Sequence, residues 1–130
     1  MADLDELLEL HNKTMIAFDF ALATGALLAP DKTLALIGHD EPSDDAREMF
    51  RRCAPIWYTF AAGHLVAAMR GEERDWWALA WLRGTELLTD VLWSRSAAFT
   101  RPGAKRGLWF AGAANAAMAL GFARLAKSRR

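Results

Sequence analysis

Hydrophobic positions gather in four runs, Met15 to Pro30, Ala54 to Met69, Trp76 to Trp93 and Gly107 to Ala123, and polar positions gather between them. The first run is interrupted only by Asp19, and the second carries no formal charge besides what His64 holds. Arg83, Glu86 and Asp90 lie in the third, while the fourth has no charge at all. Each run is about 16 to 18 residues long, slightly under the ~20 usually wanted to cross ~30 Å of hydrocarbon. Alternation of period two is nowhere sustained and alanine occurs 26 times, so helices are the regular structure this pattern predicts. They are expected over about 5–30, 54–70, 76–94 and 107–125, with Asp3, Asp5 and Glu6 suiting the N-terminus of the first. Pro30, Pro42, Pro55 and Pro102 fall at or outside the run ends, where a helix tolerates them. The connectors are charged: His39 to Arg52, Arg70 to Asp75, and the basic stretch Arg95 to Arg106.

A soluble helical bundle needs a polar stripe along each helix. The fourth run offers only Asn115 for one, and the second only Thr59 and His64 away from its ends. Trp57, Trp76, Trp77, Trp93 and Trp109 lie within about one turn of a run end, where an amphipathic ring would sit at lipid headgroups. Only Trp81 lies well inside a run. The pattern therefore predicts an all-α fold, a four-helix transmembrane bundle formed by residues 1–130 as one domain, multi-pass in the cell inner membrane. A soluble, unusually apolar helical bundle is the alternative. Basic residues divide almost evenly between the two sides, so the positive-inside rule gives no orientation. The net acidic residues before Met15 argue against a cleavable signal.

Composition narrows the function. The chain has 130 residues, 53% hydrophobic and 25% charged, with sixteen basic against sixteen acidic side chains. That balance excludes a disordered tail and a strongly basic nucleic-acid binder. The single cysteine, Cys53, permits no internal disulfide, and zinc-site spacings are missing. No Walker loop, dinucleotide GxGxxG, HExxH or GxSxG element is present. Neither a metal nor a cofactor is predicted.

Chemistry is expected where polar groups are buried at a cost. Arg83, Glu86 and Asp90 are spaced i, i+3, i+7 and occupy an arc of about 60° on a helix. A charge at mid-bilayer costs about 2.5 to 3.5 kcal/mol, so this stripe is expected to face the bundle interior or a hydrated cavity. Arg83 is expected to pair with Glu86 one turn later, leaving Asp90 in want of a partner: His64, Asp19 or Asn115. Two readings remain open here. In one, Glu86, Asp90 and His64 are catalytic acid and base groups, with Arg83, Asp19, Asn115 and Trp81 binding a ligand. In the other, the same groups form an interhelical network that fixes packing. Two rows of small residues, Ala113-Ala117-Gly121 and Ala111-Asn115-Ala119, predict close helix contact.

The layout resembles small four-helix bacterial membrane proteins of the DoxX-like kind. The resemblance is carried by a first span ending Leu27-Leu28-Ala29-Pro30, then Leu36-Ile37-Gly38 and Met49-Phe-Arg-Arg-Cys-Ala-Pro55. A third span follows, reading Leu82-Arg-Gly-Thr-Glu-Leu-Leu-Thr-Asp90. It covers about residues 15 to 125 and implies an accessory partner of quinone-linked or redox membrane systems, with no established catalytic residue. The function expected is an accessory subunit or a binder of a hydrophobic, lipid- or quinone-like ligand. A small membrane-embedded isomerase or hydratase is the alternative. Expected partners are the lipid bilayer and a hydrophobic small molecule or membrane partner subunit. Homo-oligomerisation is left open, and nucleic acid is excluded.

Overall fold

The structure, a computed structural model, describes residues 3–99, 101 and 103–130. All of its regular structure is helical: α1 (Leu4–Leu28), α2 (Pro30–Leu36), α3 (Asp44–Arg70), α4 (Glu73–Ser94) and α5 (Ala104–Ser128). Local chemistry sets most of these boundaries. Asp3 and Glu6 form a capping box at the start of α1, where the Asp3 amide donates to Glu6 Oε2 at 3.3 Å. Ser43 caps α3 by accepting from the Ala46 amide at 3.2 Å. Gly71, at φ +64°, closes α3 in the left-handed conformation that glycine adopts without a steric penalty. Glu72 and Asp75 form a second capping box at the start of α4.

Two expectations about the helices are corrected. The first predicted helix, 5–30, stops at Leu28: Ala29 turns the chain, and Pro30 occupies the first turn of the separate helix α2, where its missing N–H is harmless. The second, 54–70, begins ten residues earlier, because the charged stretch after Ser43 is itself helical. Asp44 and Asp45 favour that N-terminus through the helix dipole, and Arg47 bridges to Asp31 of α2 as well as to Asp44. Pro55 therefore lies inside α3 instead of at its start. Pro102 lies outside the described residues. The third and fourth predicted helices correspond closely to α4 and α5.

The four long helices run alternately up and down. In order around the bundle they are α1, α3, α4 and α5, with α1 packed along α3 and α4 along α5. The two pairs meet over narrower seams, α3 against α4 and α1 against α5. Apolar side chains fill the two ends of the interior. One cluster contains Met15, Trp76, Leu79, Met118, Phe122 and Leu125; the other contains Ala23, Leu34, Phe50, Ala54, Trp57 and Phe60. The polar layer described below lies between them.

The outer surface divides sharply. Charged side chains gather at one end, where Arg124 pairs with Asp5, Arg129 with Glu9 and Arg130 with Glu73. They gather again at the other, where Arg47 pairs with Asp31 and Arg101 with Asp40. Between these levels each long helix contributes roughly 15 to 19 residues, about 22 to 28 Å of helix. Within that belt the ionisable groups Asp19, His64 and Arg83 are buried, and Glu86, Asp90 and Cys53 are half-buried. Large apolar side chains take the outside instead, among them Phe18, Phe20, Leu65, Trp81, Leu88, Leu92 and Leu120. Belt hydroxyls fold back on their own helices: Thr24 donates to the Phe20 carbonyl, Thr59 to that of Pro55 and Thr85 to that of Leu82.

By length and composition, one helix among the described residues, α5 (Ala104–Ser128), is long and apolar enough to cross a membrane. In α4 three ionisable groups interrupt the apolar run, and in α1 and α3 charged ends shorten it. The tryptophans split between two roles. Trp57 and Trp76 are buried core aromatics, whereas Trp77, Trp81 and Trp109 are exposed.

Candidate functional site

Helical spacing brings four polar side chains from three helices to the middle of the bundle. On α1 the buried positions Asn12, Met15, Asp19, Ala23 and Ala26 recur every three or four residues, so Asn12 and Asp19 share the inward face. His64 is on the inward face of α3 and Arg83 on that of α4, and all four side chains are almost completely buried.

Arg83 is the hub. Its guanidinium forms an ion pair with Asp19 through Nη2 and donates to His64 Nε2, with Nε at 3.1 Å. Because a guanidinium has no acceptor, His64 Nε2 must present its lone pair, and the ring proton is placed on Nδ1. Nδ1 faces Asn12 Oδ1, while Asn12 Nδ2 donates to the His64 carbonyl at 3.0 Å. The amide thus grips both the ring and the backbone of one residue. Phe122 meets the imidazole edge-on at 5.7 Å, and Arg83 lies 5.5 Å from the centroid of the Phe60 ring. In this arrangement the imidazole is neutral and both of its nitrogens are engaged.

A second group lies further along α4. Asn115 Nδ2 of α5 donates to Asp90 Oδ2 at 2.8 Å. Gly112 of α5 packs beside it, and a Cβ there would stand 3.5 Å from that of Asp90, an ordinary contact. Glu86 lies between Asp90 and the Arg83 hub, beside Trp57 and Cys53 of α3. Both carboxylates are half-buried, so this group, unlike the hub, is reachable from outside.

The stripe Arg83, Glu86 and Asp90 does turn inward, but its pairing differs from the expectation. Arg83 reaches across the bundle to Asp19 instead of along its own helix to Glu86, and Asp90 takes Asn115 as its partner. His64 joins the Arg83 group, apart from the pair on Asn115. Trp81, expected among the ligand contacts, is 75% exposed on the outer face of α4 and joins neither group. Of the two small-residue rows, Ala111-Asn115-Ala119 faces inward, whereas Ala113 and Ala117 are exposed. Gly121 of the other row packs on Leu8. Asn12 was not among the sequence candidates, although its seven-residue spacing from Asp19 is the visible signal.

Three buried polar atoms have no hydrogen-bond partner among the described residues: Asp19 Oδ1, Asn115 Oδ1 and Trp76 Nε1. No group of three His, Cys, Asp or Glu side chains suited to a metal is found among the described residues. Grooves open at the bundle ends. One of about 490 Å³ runs between Leu36-Ile37 and the start of α5, and one of about 210 Å³ has Glu9, Lys13, Arg70 and Arg129 around Trp76. In comparison with known proteins, the chain matches no family model, no curated protein and no solved structure at a significant level.

Proposed function

We propose that the protein is a small multi-pass membrane protein, an accessory or hydrophobic-ligand-binding subunit, whose four long helices are solvated by lipid. One observation carries this reading: in the belt between the charged ends, large apolar side chains are outside and ionisable ones inside. Water would favour the reverse. The belt is about 22 to 28 Å tall, close to the ~27 to 30 Å of a bilayer core. Its hydroxyls are satisfied by their own helix carbonyls, as a medium without hydrogen bonds requires. The DoxX-like layout belongs to the same proposal.

The two polar groups take different roles in this reading. Asn12, Asp19, His64 and Arg83 satisfy one another and clamp the helices together, which matters where lipid offers no hydrophobic drive for association. Glu86, half-buried beside Trp57 and Cys53 of α3, and Asp90, half-buried against Asn115 of α5, form the face that meets a ligand. An acid–base enzyme would have to work with Glu86 and Asp90 alone, because the neutral His64 is held at both nitrogens.

Fractionation combined with two substitutions tests the reading. The chain should stay in the membrane pellet after alkaline carbonate extraction. Trp81→Lys and Leu88→Lys, both on the outer belt, should each oppose insertion by about 2.5 to 3.5 kcal/mol. In a soluble bundle the same exposed substitutions would stay within about 0.5 kcal/mol of neutral. Recovery in the carbonate supernatant, with both lysine variants as stable as the parent, overturns the proposal.

A further inference from the structure

The groove between the end of α2 and the start of α5 is apolar along its walls and basic at its rim. Leu36 and Ile37 form one wall and Leu108 and Ala111 the other, while Arg101 stands at the edge. Leu36 is 85% exposed, an apolar side chain that nothing in the described chain covers. Gly38 holds the walls together: at φ +100° and without a Cβ, it lets the turn after α2 press against Ala104. The groove measures about 490 Å³, within the ~300 to 1,000 Å³ of small-molecule sites. It runs from the charged end of the bundle into the start of the belt.

Charge at the rim is one-sided. From Arg95 to Arg106 the chain has four basic side chains and no acidic one. Arg101 is held at the mouth by Asp40, at 2.8 Å, and by the Ala35 carbonyl. Lys105 and Arg106, in the first turn of α5, are exposed and make no ion pair among the described residues. That turn also carries no acid and no side-chain cap, so the positive end of the helix dipole adds to the two free cations. We propose that the groove seats an acyl chain of an anionic phospholipid, with the phosphate at the rim beside Lys105 and Arg106. A lipid in a leaflet has the same order, since its phosphate stays at the interface while its chain enters the hydrocarbon. Phosphatidylcholine would bring a quaternary ammonium to the same cations, which favours the anionic class. The inference rests on the membrane reading above and adds a lipid seat away from Glu86 and Asp90.

The full chain in dodecyl maltoside micelles can be titrated with dioleoylphosphatidylglycerol or dioleoylphosphatidylcholine, and bound lipid counted by native mass spectrometry. One phosphatidylglycerol should be retained at concentrations where phosphatidylcholine is not. Lys105→Gln combined with Arg106→Gln should raise the concentration needed by at least about tenfold. Lys13→Gln combined with Lys127→Gln removes the same charge from exposed positions at the opposite end and should leave it unchanged. Ala111→Phe should fill the groove and weaken retention with every charge in place. Equal retention of the two lipids, an equal loss in the two charge variants, or full retention in Ala111→Phe overturns the proposal. If Ala111→Phe does not fold, competition on the parent decides: lysophosphatidylglycerol should displace the bound lipid, and glycerol phosphate, an anion without a chain, should not. Equal displacement by glycerol phosphate would mark a site for any phosphate and refute the seat. Failure with the chain still carbonate-resistant removes the lipid seat and leaves the membrane reading in place, whereas a chain found in the carbonate supernatant removes both.

Discussion

Asp19 is 1% exposed and Arg83 3%, so neither charge has water to fall back on when the other is removed. Breaking a buried ion pair from one side typically costs about 3 to 5 kcal/mol, because the remaining charge is buried alone. Asp19→Leu should lose about that much. Asp19→Asn, which keeps an oxygen to accept from Arg83, should recover about 1 kcal/mol of it. Arg83→Met should be worse than either, since it orphans both the Asp19 carboxylate and the lone pair of His64 Nε2, the latter adding about 1 to 3 kcal/mol. The double variant Asp19→Leu, Arg83→Met contains neither charge, and only the loss at His64 should remain. Its cost should therefore fall short of the summed single costs by at least about 2 kcal/mol. The cycle can be measured by titrating sodium dodecyl sulfate into mixed micelles and following far-ultraviolet circular dichroism. Single losses that add to the double within about 0.5 kcal/mol would mean that the two residues do not act together, and the clamp would be refuted.

Three further outcomes follow from neighbouring features. Asn12→Asp can still accept from His64 Nδ1 but cannot donate to its carbonyl, so it should lose about 1 to 3 kcal/mol in the same titration; an unchanged midpoint would contradict the assigned grip. Gly38→Ala should destabilise by more than about 1 kcal/mol, because φ is +100° there and a new Cβ would meet the Cβ of Ala104. Gly121→Ala, whose obstacle is the flexible end of Leu8, should cost less, and thermal melts showing the opposite order would contradict this packing. At the charged end, the hydrogen bond from Arg130 holds the Glu73 carboxyl below its usual range, against an opposing effect of burial and with a lesser contribution from the Trp77 hydrogen bond. A depressed folded value means the contribution is present above the ordinary glutamate range and lost as pH falls through the folded value. Carbon NMR should find Glu73 titrating at higher pH in Arg130→Ala, and an unmoved titration would dismiss the bond.

Much of this arrangement was legible in the residues, for identifiable reasons. α4 and α5 could be read because their apolar runs are bounded by charges, with Glu72 and Asp75 capping the first and Gly103 preceding the second. α3 was misjudged at its start, since Asp44 to Arg52 looks like a connector until Ser43 is recognised as a cap and the Arg47 bridges are seen. The inward turn of Arg83, Glu86 and Asp90 followed from spacing and the cost of burying charge. Their partners did not, because a one-dimensional pattern favours the neighbour one turn away over a residue on another helix. Arg83 and Asp19 are 64 positions apart, and nothing local to either announces the other. Asn12 was passed over because it precedes the apolar run, in a segment that reads as an acidic terminus.

The choice of arginine at the hub follows from where the helices stand. α1 and α4 face each other across the bundle diagonal, with α3 and α5 between them. With neighbouring axes about 8 to 10 Å apart, a diagonal is too wide for two apolar side chains of ordinary length to join. A guanidinium on a long flexible stem can span it. Its planar fork also presents several N–H groups at once, which is how Arg83 meets the Asp19 carboxylate and His64 Nε2 together. One side chain on α4 thereby locks together both helices of the α1–α3 pair. A lysine would carry the same charge to Asp19 as a point and without the fork. Arg83→Lys should accordingly keep most of the coupling to Asp19 while leaving the lone pair of His64 Nε2 without its donor, a loss of about 1 to 3 kcal/mol in the same titration. A lysine variant as stable as the parent would show that the fork's second contact contributes nothing and that the charge on Asp19 is all the hub requires.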